Sequence, residues 1–250
     1  MIVKQVAYAL QILELFAERK APATLSELSD HFGWPRSSTF NLIETLSKAG
    51  FLYELRHRSG YYPTPRLLKL AQAIVTDGPV SEAQRDLVAR LAVLTGETAI
   101  LAALSGTSAV FIDVVESTNP IRYFAQVGQR VPLYTTASGR ALLSLLSRKE
   151  RGAIYEKTQF ERYASATLMT PESVEKEIQA SAARGWFLNN DGYSPGLLGI
   201  AIPLDLNDRQ VCLLIAGPAY RLADRAEELA TVMRTEIDAF LQAEAASQRG

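Results

Sequence analysis

The stretch WPRSSTFNLIETLSKAGF, residues 34–51, opens on a proline turn and ends in a glycine followed by an aromatic. Its interior has helical spacing. Counted at about 100° per residue, Thr39, Leu42, Ile43, Leu46 and Ala49 gather on one side. Ser37, Asn41, Glu44, Thr45 and Lys48 gather on the other, with Arg36 and Ser38 flanking at the N-terminal end. The spacing predicts a helix from about Arg36 to Ala49, stopped by Gly50. Its first turn carries an arginine and three hydroxyls in a row. Those hydroxyls either cap the helix or face something outside the protein.

Upstream, Val6, Leu10, Leu13 and Phe16 predict a first helix over 3–17 with one buried stripe. Thr24 and Glu27 match a capping box, so a second helix begins near Leu25, buries Leu25, Leu28 and Phe32, and stops at Gly33. Two short helices joined by a tight glycine-containing turn are a helix-turn-helix. Downstream, Phe51–Leu55 and Tyr61–Tyr62 read as strands joined by Arg56-His57-Arg58-Ser59-Gly60, which makes the unit winged. The polar face of the third helix is short-armed and rich in hydrogen-bonding groups, as a helix lying in a major groove requires. Asn41 suits a bidentate bond to adenine, and Ser37, Ser38 and Thr45 suit phosphates or base edges. Glu44 resists that reading, since phosphates repel it unless it accepts from cytosine. An ordinary solvated helix face capped by Ser37 or Ser38 is the alternative. The wing tip, with two arginines and a histidine beside that helix, favours a phosphate backbone.

Composition narrows the remaining choices. The 250-residue chain can bury a real core as one large domain or two smaller ones, and 48% apolar with 21% charged residues sets aside whole-chain disorder. No apolar run approaches the ~18 residues of a membrane span. The N-terminal MIVKQVAYALQILELF carries Glu14 and lacks a small-residue cleavage site, so it reads as an amphipathic helix and not a signal peptide. The single cysteine, Cys212, fits a reducing compartment, and a cytoplasmic location is expected. The net charge of −1 splits unevenly: residues 1–78 hold nine basic and seven acidic side chains. Both histidines, His31 and His57, lie before residue 58, so no Ser-His-Asp, Cys-His or His/Cys metal site can be built within 58–250. Neither a cofactor nor a metal is expected.

Past the wing, Pro65 to Thr76 predicts a linker helix, with Gly78-Pro79 as the break between domains. A helix over 80–95 carries Leu87, Leu91 and Leu94 on its apolar stripe. Strands follow at 98–105, 108–116 and 121–127, then helices over 138–147, 148–156 and 171–185. Strands at 198–206 and 209–217, joined by Asn207-Asp208, precede a long helix from Asp224. Hairpins interleaved with helices indicate an α+β domain with an antiparallel sheet.

The run ALQILELFAERKAPATLSELSDHFGWPRSSTFNLIETLSKAGFLY, followed by GYYPTPRLLKLA, resembles the start of the IclR family of bacterial transcription regulators. The likeness continues in order through LTGETAILAAL, FIDVVES, VGQRVPLYTTASGRALLS, ARGW and GLLGIAIPLDLNDRQVCLLIAGP, covering essentially the whole chain. The resemblance implies a winged helix-turn-helix over 1–64, a linker helix over 65–78 and a GAF-like effector-binding domain over 79–250. It further implies action on operator DNA as a dimer or a dimer of dimers. Absent histidines past residue 57, an unremarkable lone cysteine and no nucleophile or phosphate-loop motif weigh against an enzyme, and no membrane partner is expected. The candidate DNA-binding residues are Thr24, Arg36, Ser37, Ser38, Asn41, Thr45, Lys48, Arg56, His57 and Arg58. Asn41 stands where many relatives carry a basic residue, so their operator sequences do not transfer.

The effector site is expected at Thr136, Ala137, Ser138 and Gly139, where free N–H groups at a helix start attract anions. Read alone, the residues favour a structural role, Ser138 as an N-cap and Gly139 as a packing site; it is the resemblance that implies that this loop lines the effector pocket. The family's pocket adds Asn189 and Asp191, with Gly199, Leu214 and Ala216 on the late strands. At those late-strand positions, glyoxylate-sensing relatives carry cysteine and serines. Leucine and alanine in their place point to a larger, more apolar effector, an organic acid or aromatic. Relatives often have an acidic pair near Asp191, where this chain has Asn190-Asp191-Gly192. A repressor fits the resemblance better than an activator. The competing reading is an enzyme or passive binding protein that uses the C-terminal pocket.

Overall fold

The computed structural model describes residues 3–55, 60–76, 80–206 and 209–247, and the chain divides into two compact units, Met1–Pro79 and Val80–Gly250. In the first, α1 (Lys4–Arg19), α2 (Leu25–Phe32) and α3 (Arg36–Lys48) enclose Ile12, Phe16, Leu28 and Ile43. The capping box forms as expected: Thr24 Oγ1 accepts from the Glu27 N–H, and the Glu27 carboxylate accepts from the Thr24 N–H at 2.8 Å. Gly33, at φ +66°, ends α2. The turn into α3 is then held twice. Ser29 Oγ donates to the Trp34 carbonyl at 2.7 Å, and the Trp34 ring stacks between Tyr8 and Phe32, 4.1 and 4.2 Å from their centroids.

That stack overturns the expected face of α1. Val6 and Leu10 are 59% and 55% exposed, Leu13 is half-buried, and the inward stripe is Tyr8, Ile12 and Phe16. Both stripes have helical spacing, and the one with two aromatic rings to bury faces the core. Ala49 is exposed as well, because α3 stops at Lys48 and Ala49 is only its cap.

Strands β1 (Leu52–Glu54) and β2 (Tyr61–Pro63) pair antiparallel, with Tyr53 opposite Tyr62. Ala23 bridges to Tyr61 on the open edge of β2, and Gly60 passes so close that a Cβ there would lie 3.1 Å from the Ala23 backbone. Helix α4 (Arg66–Thr76) follows.

The second unit is a six-stranded antiparallel sheet in the order β5-β4-β3-β8-β7-β6. Its strands are β3 (Thr98–Ser105), β4 (Ser108–Val115), β5 (Arg130–Pro132), β6 (Phe187–Asn190), β7 (Leu197–Leu206) and β8 (Arg209–Pro218). The central strands read as almost unbroken apolar runs because both faces are covered. Leu213 and Ile215 meet α5 (Glu82–Thr95) and α10 (Ala226–Ser247); Cys212, Leu214 and Ala216 meet α6 (Ala137–Ser144) and α8 (Pro171–Arg184). Helices α7 (Arg148–Tyr155) and α9 (Ala219–Leu222) complete the unit, and a 3-10 turn delays α10 to Ala226. Trp186 is buried at the start of β6 with the Arg184 guanidinium 4.1 Å over its ring.

Two sequence expectations fail in this unit, and one strand appears that the sequence did not announce. On α5, Leu94 is 53% exposed, and Val88 and Ala92 take its place in the core. Residues 121–127 form no strand. Their backbone is spent on irregular partners, with Tyr123 O accepting from Thr98 Oγ1 at 2.7 Å and Ile121 O from the Arg221 guanidinium at 3.1 Å. Strand β6 was not expected, and it extends the sheet beyond β7. The junctions at Gly78-Pro79 and Asn207-Asp208 lie outside the described residues.

Candidate DNA-binding face and effector cavity

Helix α3 begins at Arg36 with Pro35 as N-cap and no side-chain cap. The three hydroxyls therefore divide. Thr39 is wholly buried and donates to the Pro35 carbonyl, whereas Ser37 and Ser38 are exposed and bond to no other described residue. Capping does not account for them. Asn41 and Thr45 are exposed on the same side, and Thr45 Oγ1 donates back to the Asn41 carbonyl at 2.7 Å, leaving its oxygen to accept. Lys48 pairs with Glu44 at 2.9 Å, which offsets the carboxylate that would otherwise repel phosphate. Phe40 is 45% exposed beside this face, where a ring can touch a thymine methyl. Spacing did not single it out, because an aromatic in an amphipathic helix reads as core. The Thr24 hydroxyl is engaged in the α2 cap. Arg56, His57 and Arg58 lie outside the described residues.

In the second unit, seven of the nine expected effector residues line one cavity: Thr136, Ala137, Ser138, Asn189, Gly199, Leu214 and Ala216. Phe111, Tyr123, Val131, Tyr193 and Leu197 close it, leaving about 20 Å³, room for one water-sized body. Thr136 is the N-cap of α6 and takes the Gly139 N–H at 3.0 Å; the Ala137 and Ser138 N–H groups have no acceptor among the described residues. The cap is thus Thr136 and not Ser138.

Gly139 and Asp191 do not line the cavity. A Cβ on Gly139 would lie 2.2 Å from the Leu133 carbonyl, so this glycine lets α6 pack against the preceding chain. Asp191, at φ +56°, accepts from the Gly196 N–H at 2.6 Å and shapes the turn that carries Tyr193.

The cavity's polar groups are mostly donors. Tyr123 accepts from Gln129 Nε2, which leaves its hydroxyl proton to give, and burial pushes its pKa up to about 12. Burial, with the neighbouring Tyr163, raises Tyr193 as well. Tyr193 stacks on Tyr163 at 5.6 Å and is shared with a more polar hollow of about 300 Å³ bearing Arg130 and Lys157. Behind the Asn189 wall lies Arg140, fully buried, with a pKa lowered by desolvation to about 10. Sequence reasoning missed it, since a lone arginine in a helix reads as solvated. Tyr123 and Tyr193 were missed because they come from irregular segments far apart in the chain.

Comparison with known proteins agrees with both halves of this description. Residues 5–56 match the IclR helix-turn-helix domain, and residues 72–239 match the family described as bacterial transcriptional regulator IclR C-terminal. The HTH-type transcriptional regulator KipR of Bacillus subtilis is 28% identical over 96% of this chain and 95% of its own. The acetate operon repressor of Salmonella typhimurium is 25% identical over 92% of this chain and 86% of its own. The Thermotoga maritima IclR crystal structure superposes with a TM-score of 0.79 at 21% identity, covering 96% of this chain and 98% of that one. An IclR homolog from Microbacterium hydrocarbonoxydans, complexed with 4-hydroxybenzoate, gives 0.69 at 19% identity, over 96% of this chain and 99% of that one. Matched over most of its length, with the two matching regions in the order of its two units, the chain belongs to the IclR family of bacterial transcriptional regulators.

Proposed function

We propose that the protein is a cytoplasmic, sequence-specific DNA-binding repressor, working as a dimer or a dimer of dimers, whose operator affinity is set by a carboxylate-bearing effector with an apolar body. The observation that carries this reading is the cavity at the start of α6, with unpaired N–H groups on one wall and Leu214, Ala216 and Gly199 on another. Free N–H groups at a helix start favour an anion, and the apolar wall favours a ring or chain. On the DNA side, the reading is supported by exposed Ser37, Ser38 and Asn41 on one face of α3. A space of about 20 Å³ admits an aromatic acid only when a wall moves, and Tyr193, on its tight turn, is the part we expect to swing. Binding then favours one conformation over another, which is the condition for an effector to change DNA affinity.

The test uses 4-hydroxybenzoate, the ligand of the Microbacterium relative, as first probe against a footprinted operator fragment. The acid is expected to change operator affinity by about 5- to 150-fold. Ala216→Val adds two methyl groups to a space sized for one water; it should bind the operator normally and ignore the acid. A variant that responds like wild type would move the effector site out of this cavity.

A further inference from the structure

Arg140 follows Gly139 on α6 and is 3% exposed. Its guanidinium donates to the carbonyls of Tyr134 at 2.9 Å and Leu188 at 2.7 Å, and to Asn189 Oδ1 at 3.3 Å; Nε has no acceptor among the described residues. Every one of those acceptors is neutral. The carboxylate it feels at longer range, Glu177, lies 3.9 Å from Arg184 instead. Burial lowers its pKa only to about 10, so it remains charged at neutral pH. A desolvated cation without a counter-charge is costly, and proteins seldom keep one unless something balances it.

The contact with Asn189 also has a direction. A guanidinium can only donate, so the amide atom facing it must be the oxygen. The two Nδ2 hydrogens are then left on the other side. Asn189 is 6% exposed and lines the cavity, and its Nδ2 has no acceptor among the described residues.

We infer that Arg140 is a positioning residue for anion selectivity: it fixes Asn189 with its N–H bonds toward the cavity and leaves that wall with one unbalanced positive charge, so that the carboxylate of an effector serves as the missing counter-charge. The site then prefers an acid to the neutral amide of the same shape. This deepens the proposed function and rests on the cavity being the effector site.

The test is calorimetric titration of the full-length protein with matched acid–amide pairs, from acetate and acetamide to 4-hydroxybenzoate and 4-hydroxybenzamide. Wild type is expected to bind the best acid at least about 10-fold more tightly than its amide, the scale of one charge-assisted hydrogen bond. Removing Arg140 risks the fold, so Asn189→Asp is the first variant: it supplies a permanent counter-charge to Arg140 while keeping the side-chain shape. Its affinity for the acid should fall about 100-fold, with the amide changing less than about threefold, which reverses the preference. Asn189→Leu, which removes the donor and leaves the charge unbalanced, should weaken both ligands but keep the preference for acid. Direct repulsion between a carboxylate at 189 and the acid adds to the fall in Asn189→Asp whatever Arg140 does, because Asn189 lines the cavity. Arg140→Gln is therefore the discriminating arm, with binding of the neutral amide as its folding control. Its acid–amide ratio should drop about 10-fold, and a ratio unmoved from wild type, or acid and amide weakened alike, overturns the inference. Acid binding that Ala216→Val abolishes and Asn189→Asp leaves intact would overturn only the role of Arg140. Acid binding that Ala216→Val leaves intact, or no acid bound by wild type, would overturn the cavity reading and this inference with it.

Discussion

Asn41 leaves its carboxamide exposed in the middle of the polar face of α3, one turn after Ser37 and one turn before Thr45, whose hydroxyl is turned back on the Asn41 carbonyl. Asn41 thus offers a donor and an acceptor side by side on one amide, the bidentate pattern that matches an adenine edge, which the single hydroxyls of Ser37 and Ser38 do not. Asn41→Ala should cost roughly 1–3 kcal/mol on the operator and relax the preference at one base pair. Affinity on a footprinted site, compared with single-base variants of it, checks this; an unchanged value would mean that α3 is not in the groove. The exposed and buried sides of α3 were legible at this scale, since Thr39 and Ile43 face in and Ser37, Ser38 and Asn41 face out as their spacing indicates. Arg140 was not. Nothing in its neighbours in sequence announces that Tyr134, Leu188 and Asn189 will converge on it, because two of those three lie more than forty positions away.

Among the elements, α2 depends most visibly on one local device. The Thr24 backbone N–H bonding to Glu27, with Arg19 next to it, holds the Glu27 carboxyl down at about 2 from its usual 4.5. A lowered carboxyl stabilises the folded form above pH 4.5, and that contribution drains away as the pH falls toward about 2. Amide exchange of α2 in the intact protein, corrected for intrinsic rates, should therefore lose protection across that window. Glu27→Gln, which keeps the box but not the charge, should flatten the loss; an equally steep variant would assign the effect elsewhere. Because Glu27 is largely exposed, solvent screens the pair with Arg19 and the change will be small. Local signals of this kind, the capping box and Gly33 among them, were readable directly. The face of α1 was not, because two stripes share one helical period and only the tertiary partners of Tyr8 choose between them. Residues 121–127 have strand-like composition but pair with no strand; their carbonyls go instead to side chains from distant parts of the unit, Thr98 on Tyr123 and Arg221 on Ile121, which local composition does not announce.

At the scale of the molecule, each unit has its own core, one around Ile12 and Ile43 and one on both faces of the six-stranded sheet. An effector held in the second unit raises the stability of that unit by RT ln(1 + [L]/Kd), and raises that of the first only to the extent that the two units are coupled. The chain's two tryptophans fall one in each core, Trp34 between Tyr8 and Phe32 and Trp186 beneath Arg184 at the head of the strand bearing Asn189. The protein thus has a built-in fluorophore in each unit. Trp34→Phe leaves an emission reporting only on the effector unit, and Trp186→Phe one reporting only on the helix-turn-helix. With saturating 4-hydroxybenzoate, the denaturation midpoint seen through Trp186 should rise by the full binding term, and any rise seen through Trp34 measures the coupling itself. A rise in neither would mean the acid does not bind the folded chain. Communication between the ligand and the DNA face can in this way be read as a ratio of two emission shifts, with no DNA in the cuvette.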